Sequence, residues 1–167
     1  YGVLWIGTES RGCNYLDLFQ KKFIHIREIG DRSQRSGNNM ITAITGHNPD
    51  EIWVGTALQG FARVSVSTSG AYSVKNIPTV PVASTEGESR EIMSLLLDDQ
   101  NHLWIGTATN SLNRYHPNKG FRSYITNGYV FAIHQDSRGQ IWYGTWGQGL
   151  GIYDRELDEV RQVATNT

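Results

Sequence analysis

A chain of 167 residues with a net charge of −1 can bury one sizeable core, and it lacks the basic stripe that a nucleic-acid partner would require. No apolar run approaches the ~20 residues of a membrane-crossing helix, no signal peptide is recognisable, and the single cysteine excludes an internal disulfide. With 18 glycines, 11% aromatic residues and no helical periodicity sustained over a dozen residues, the expectation is an all-β protein.

The elements follow one short motif that recurs as Trp5-Ile6-Gly7-Thr8, Trp53-Val54-Gly55-Thr56, Trp104-Ile105-Gly106-Thr107 and Trp142-Tyr143-Gly144-Thr145. Its tryptophans are 48, 51 and 38 residues apart, the spacing of a repeat architecture. The first repeat opens inside a turn, with Gly2 aligned to Gly139. Strand B then covers Val3 to Thr8, a turn covers Glu9 to Gly12, strand C covers Cys13 to Phe19 and strand D covers Phe23 to Glu28. Strand A of this repeat is missing. Cys13 holds the place of Phe61, Leu112 and Leu150, so it reads as a small buried hydrophobe.

A polar loop from Gly30 to Asn39 leads to the second repeat, with A at Met40 to Thr45, B at Ile52 to Thr56, C at Phe61 to Ser67 and D at Ala71 to Ile77. A longer loop from Pro78 to Glu91 carries Pro81 and the acids Glu86 and Glu88. The third repeat has A at Ile92 to Leu97, B at Leu103 to Thr107, C at Leu112 to Tyr115 and D at Phe121 to Ile125. After the short link Thr126 to Gly128, the fourth has A at Tyr129 to Gln135, B at Ile141 to Thr145, C at Leu150 to Asp154 and D at Glu159 to Ala164.

Before each B strand a turn is expected, with Gly139, Asn101 and Asp50 at the place that tolerates a left-handed backbone. After the motif a second turn ends on Gly12, Gly60 and Gly149, with Ser111 as the departure. The A strands align as Ile41, Ile92 and Val130, followed by the small residues Ala43, Ser94 and Ala132. That pattern suits an innermost strand crowded against its copies. Strand B is apolar on both pleat faces, so both faces must be covered.

Four-stranded units buried on both faces are blades of a β-propeller. The expected fold is a partial propeller of about four blades with four antiparallel strands each, the first lacking its A strand. The blades are expected at 1–29, 40–77, 92–126 and 129–164. A β-sandwich is the alternative, but it does not account for the in-register repetition. An open blade face and an unpaired strand edge favour self-association.

The run Asp136-x-x-Gly139-x-Ile141-Trp142-x-Gly144-Thr145-x-Gly147-x-Gly149-Leu150-x-x-Tyr153-Asp154 resembles the two-component regulator propeller repeat. The second copy departs most, with His47-Asn48-Pro49-Asp50 at its turn and Val64-Ser65 where Tyr-Asp is usual. The resemblance implies a periplasmic sensor region of a bacterial hybrid two-component system whose parent is membrane-anchored and carries a histidine kinase. Several such sensors detect oligosaccharides, so the expected partner is an oligosaccharide or another polar small ligand.

No catalytic constellation stands out. His25, His47, His102, His116 and His134 are scattered over repeat positions without metal-ligand spacing, and no cofactor is expected. The acid pair Asp98-Asp99 reads as turn chemistry. A propeller lyase or hydrolase would need converging histidine and acid side chains that the loops do not offer. Binding is better supported, because the BC and DA loops of a propeller emerge on one face. The BC loops offer Arg11, Gln59, Asn110, Trp146 and Gln148; the DA loops offer Arg32, Arg35, Glu86, Glu88, Arg90, Asn127 and Tyr129. Trp146 is the one tryptophan outside the motif. A flat aromatic beside amide and guanidinium donors suits a sugar ring, which needs an apolar face to stack on and partners for its hydroxyls. Packing between neighbouring turns is the plainer role for Trp146. The competing functional reading is a structural or protein-interaction propeller that mediates dimerisation.

Overall fold

The computed structural model describes residues 3–9, 12–17, 22–26, 29, 40–77, 79–83 and 87–163. Their regular elements are all strands: β1 (Val3–Thr8), β2 (Gly12–Asp17), β3 (Lys22–Ile26), β4 (Ile41–Asn48), β5 (Glu51–Thr56), β6 (Phe61–Val66), β7 (Tyr72–Ile77), β8 (Val80–Pro81), β9 (Glu88–Ser89), β10 (Ile92–Leu97), β11 (Leu103–Thr107), β12 (Ser111–His116), β13 (Gly120–Ile125), β14 (Val130–Gln135), β15 (Ile141–Thr145), β16 (Gly149–Asp154) and β17 (Glu159–Gln162). They build antiparallel meanders in chain order: β1-β2-β3, β4-β5-β6-β7, β10-β11-β12-β13 and β14-β15-β16-β17. The expected residues 18–19, 27–28 and 164 of strands C and D, and the loop 30–39, lie outside the described residues.

One departure is the ribbon β8-β9 inside the expected loop, where Val80 pairs with Ser89 and Pro81 with Glu88. Val80 is fully buried, which anchors the ribbon. A two-residue strand containing proline gives no periodic signal, so sequence reading passes over it.

The chain divides into two compact units, Tyr1–Thr79 with Arg90–Ile92, and Val80–Ser89 with Met93–Thr167. The first unit's core contains Cys13, Ile26, Ile29, Ile52, Val54, Ala62 and Val64, with Trp5, Ile41 and Ile44 packed against it. The second unit's core contains Trp104, Leu112, Tyr124, Val130, Ile141, Tyr143 and Tyr153. In the first unit Trp5 packs against a largely aliphatic cluster, whereas in the second Trp104 packs against a face that also carries Tyr143 and Tyr153.

The repeated motif explains that packing residue by residue. The A-strand small residue stands opposite the motif glycine, as Ala43 with Gly55 and Ala132 with Gly144. The glycine makes room for the next sheet's first strand: a Cβ on Gly7 would lie 2.8 Å from Ile41 Cγ2, and one on Gly106 would lie 2.8 Å from Val130 Cγ1. The motif threonine closes the following turn in every repeat. Its Oγ1 donates to Gly12 O (2.7 Å), Gly60 O (2.9 Å), Ser111 O (3.1 Å) and Gly149 O (2.9 Å).

The left-handed residue of that turn is Gly12, Gly60 or Gly149, with φ of 82°, 75° and 76°. In the third repeat Ser111 replaces the glycine, and Asn110 carries the positive φ (54°) one position earlier. In the turns before strand B, Gly139 (79°) and Asn101 (60°) are left-handed as expected. Asp50 is not, which corrects the sequence reading. There β4 runs on to Asn48, which pairs with Glu51 across a Pro49-Asp50 turn, and Asn48 Oδ1 accepts the Asp50 N–H at 2.9 Å. A proline-led turn needs no left-handed residue at that place.

The turn aspartates have a second task. Asp98 accepts the Trp104 indole N–H at 2.8 Å and the backbone N–H groups of Gln100 and His102 at 2.9 and 2.8 Å. Asp136 does the same for Trp142 (3.0 Å), Arg138 (2.9 Å) and Gln140 (3.0 Å). The indole hydrogen bond, with help from the backbone donors, holds the Asp136 carboxyl below its ordinary range. One carboxylate therefore fixes both a hairpin and the blade's central indole, which accounts for the Asp-to-Trp spacing.

A polar clamp ties the third and fourth sheets together at Asp158. Its carboxylate accepts from Tyr124 OH (2.6 Å) and Tyr153 OH (2.7 Å) and pairs with Arg114 (3.3 Å) and Arg122 (3.1 Å). The Arg114 guanidinium also stands 5.4 to 6.0 Å from the Tyr153, Trp104 and Tyr124 ring centroids. Partial burial alone would raise the Asp158 pKa, but the two phenols and the two guanidiniums outweigh it and the net direction is down. Burial, together with the bond to Asp158, drives the Tyr124 phenol far up.

Candidate ligand surface

In the second unit the surface forms at the end of the sheets where BC turns and DA loops meet. Gly147 and Gly149, with φ of 80° and 76°, bend the β15–β16 turn so that Trp146 stands out, 73% exposed. The Trp146 N–H donates to Tyr129 O at 2.9 Å, which locks this turn to the DA loop. Gly128 lies so close that a Cβ there would meet Trp146 O at 2.8 Å and Gln148 Cγ at 3.3 Å. The same loop is tied to the preceding BC turn, since the Thr126 N–H donates to Asn110 O at 2.9 Å.

Trp146, Gln148, Tyr129 and Asn110 are thus linked along one strip, with Asn127 between the tie points. Phe131, which the sequence reading did not select, completes the surface. Its ring centroid is 5.5 Å from that of Trp146, the rings are inclined by 43°, and Phe131 is 43% exposed. It follows the buried Val130, at the point where the β14–β15 register slips between Val130 and Ala132. Tyr129, Phe131 and Trp146 give three exposed aromatic faces on one strip, flanked by the exposed Asn110, Asn127 and Gln148.

In the first unit Gln59 and Arg90 come together, because the Gly60 N–H donates to Arg90 O at 2.9 Å. Arg90 is exposed, but Gln59 is 8% exposed and offers little to a ligand. Arg11, Arg32, Arg35 and Glu86 lie outside the described residues. Glu88 is exposed on β9. Concavities occur elsewhere: one in the first unit is lined by Val3, Tyr15, Ile24, Asp50 and Val66–Gly70, and one in the second by Asp136, Arg138, Trp142, Tyr153 and Arg155. The strip offers exposed ring faces, suited to stacking.

Among the described residues no three His, Cys, Asp or Glu side chains gather in a metal-binding arrangement. His102 and His116 stand 5.7 Å apart, with His102 Nδ1 3.4 Å from the turn carboxylate of Asp98. Burial pushes the Cys13 thiol up to about 11, so it is no nucleophile at neutral pH.

Meanders of this kind, stacked face to face within each unit, define the protein as a β-propeller in which the first blade has three described strands. Residues 87–109 and 124–147 match the family described as Two component regulator propeller. No curated protein matches. Among solved structures, the chain is similar to one described as the extracellular domain of the hybrid two component system BT4673 from B. thetaiotaomicron (26% identity, TM-score 0.72, covering 99% of this chain and 21% of that one). It is also similar to the corresponding domain of BT3049 from the same organism (22%, TM-score 0.71, 95% and 21%). A catalytically inactive virginiamycin B lyase from Staphylococcus aureus shares the fold (12%, TM-score 0.71, 99% and 53%). The chain therefore spans about a fifth of the length of the two-component neighbours.

Proposed function

We propose that the chain is part of a non-enzymatic sensor propeller, in the extracytoplasmic (periplasmic) region of a membrane-anchored hybrid two-component system, and that it takes an oligosaccharide or similar polar ligand on the strip around Trp146. The carrying observation is the exposed trio Tyr129, Phe131 and Trp146, held by backbone hydrogen bonds and glycine turns. Rigid, exposed aromatic rings stack on the C–H faces of sugars, and neighbouring amides pair with hydroxyls. The two-component setting is supported by the propeller repeats and by the likeness to extracellular domains of such systems. A histidine kinase elsewhere in the parent would carry the signal.

Isothermal titration of the 167-residue chain with neutral and acidic oligosaccharides tests the reading. At least one saccharide should bind saturably, and Trp146→Ala should weaken it ten-fold or more while the circular dichroism stays unchanged. Absence of binding across the panel, or binding indifferent to Trp146→Ala, overturns it.

A second reading, a propeller that serves mainly to associate, has its own observation. Leu4 (51% exposed) and Ile6 (38%) lie on an open face of β1, and Leu150 (46%) on an open face of the fourth sheet. Light scattering over a range of concentrations separates the readings: a stable dimer without saccharide binding favours the second.

A further inference from the structure

The β11–β12 hairpin brings together two histidines that the chain keeps apart. His102 and His116 stand one residue beyond the Leu103–Tyr115 pair of this ladder, with ring centroids 5.7 Å apart and planes inclined by 58°. Both are half-buried. The corresponding places hold Val3 and Asp17 in the first sheet, Glu51 and Ser65 in the second, and Gln140 and Asp154 in the fourth. The repeat therefore does not require histidine at either place, and the blade forms with quite different pairs there.

The pair is also oriented. His102 Nδ1 lies 3.4 Å from Asp98 Oδ2, the atom that already accepts the Trp104 indole N–H at 2.8 Å. A carboxylate facing Nδ1 favours the neutral tautomer with its proton there, which leaves the Nε2 lone pair for a ligand bond. A carboxylate behind one imidazole nitrogen is how metal-binding histidines are commonly held. Asp98 is 2% exposed and engaged by the indole and two backbone N–H groups, so it supports His102 from behind rather than coordinating. His116 Nδ1 accepts the Asn118 N–H at 3.2 Å, a long bond at an exposed residue where water can take over. Arg114, next along this face, is held by Tyr153 OH (2.5 Å) and Asp158 (3.3 Å). Two imidazoles on one tetrahedral ion, at nitrogen–metal distances of about 2.0–2.1 Å, have centroids about 5 Å apart. Side-chain rotation closes the small remaining difference.

We propose that His102 and His116 form a binding site for a divalent transition-metal ion of the zinc or copper type, with Asp98 as the positioning residue behind His102. Imidazole nitrogen is a ligand that suits these ions. Two protein nitrogens leave the other coordination positions open to water or to a donor atom of a bound molecule. On binding, His116 gives up the Asn118 N–H. This inference is independent of the ligand reading, because the pair lies at the end of β11 away from Thr107 and its turn, and none of its residues belongs to the strip around Trp146.

The test titrates zinc chloride into the isotope-labelled 167-residue chain, followed by calorimetry and by imidazole and amide resonances. A single ion should bind saturably. The ring signals of His102 and His116 and the Asn118 amide should move together, while the rings of His25, His47 and His134 stay in place. His116→Ala removes one ligand and should abolish saturable binding. Asp98→Asn keeps the shape without the charge and should weaken zinc by about ten-fold or more, with both histidine rings still responding. No saturable binding, or binding that moves the other histidines instead, overturns the site. Zinc affinity unchanged in Asp98→Asn overturns the role given to the carboxylate. If a variant does not fold, the resonances of the parent chain decide between the site and its absence.

Discussion

Gly106→Ala and Gly144→Ala make the same chemical change at the same motif position, yet they should differ sharply. Neither glycine has a positive φ, so alanine is acceptable to both backbones. The difference is space. At Gly106 a new methyl would press on the Val130 carbonyl and on Ser94 Oγ, and would lie 2.8 Å from Val130 Cγ1. The Ser94 hydroxyl is already engaged with Val130 O at 3.0 Å, so neither partner can yield without moving the strand. Overpacking of this kind costs about 1–3 kcal/mol, and a backbone obstacle places Gly106→Ala near the top of that range. At Gly144 the nearest atom is Ala132 Cβ at 3.7 Å, an ordinary contact. Removing a glycine without strain stabilises by about 0.4–1 kcal/mol through the unfolded chain. At about 2–4 °C per kcal/mol for a chain of this size, Gly106→Ala should melt about 5–10 °C lower and Gly144→Ala at or slightly above the parent. Thermal unfolding followed by near-ultraviolet circular dichroism measures both. Equal shifts would refute the argument that the motif glycine is there to admit the next sheet.

Asp98→Ala should cost about 3 kcal/mol in denaturant titration, because Asp98 is 2% exposed and three donors lose their acceptor; Asp136→Ala, at a more open turn, should cost clearly less. Asp158 titrates lower in the folded chain than in the unfolded one, so its contribution is present above about pH 4 and fades as pH falls further. Asp158→Asn should therefore lose about 1–2 kcal/mol at pH 7, discounted for the partial exposure of the cluster, and flatten the acid limb of a stability–pH profile. The Cys13 thiol should react with a disulfide reagent only at the rate of unfolding, since it is fully buried with its pKa raised to about 11; fast modification of the folded chain would contradict its placement.

The blades could be read from the chain because each repeat obeys one periodic rule: the indole, the glycine and the threonine recur together, and each has a fixed partner. The threonine bond to the turn carbonyl is present even in the third repeat, where Ser111 breaks the pattern and Asn110 takes over the left-handed position. The turn at Asp50 was misread because a proline-led hairpin replaces the left-handed residue, and composition alone does not separate the two. The strip proposed as a ligand surface was half legible. Trp146 stood out as the tryptophan off the motif, and Tyr129 as its loop neighbour. Phe131 was passed over because it lies inside a strand read as innermost, where neither its exposure nor its closeness to Trp146 shows in the sequence. Gln59 looked like a loop amide, but the Thr56 hydroxyl accepts its N–H at 2.9 Å within a tight turn, and the residue is buried. Single-sequence patterns report periodicity well and its interruptions poorly.

The most direct test of the sensing reading is a titration of isotope-labelled chain with the oligosaccharide panel, watching its five indole N–H resonances. The reading predicts that one saccharide moves the Trp146 signal saturably, while the signals of Trp53, Trp104 and Trp142 stay in place. Saturable binding that leaves Trp146 unmoved, or no shift with any saccharide, would contradict it.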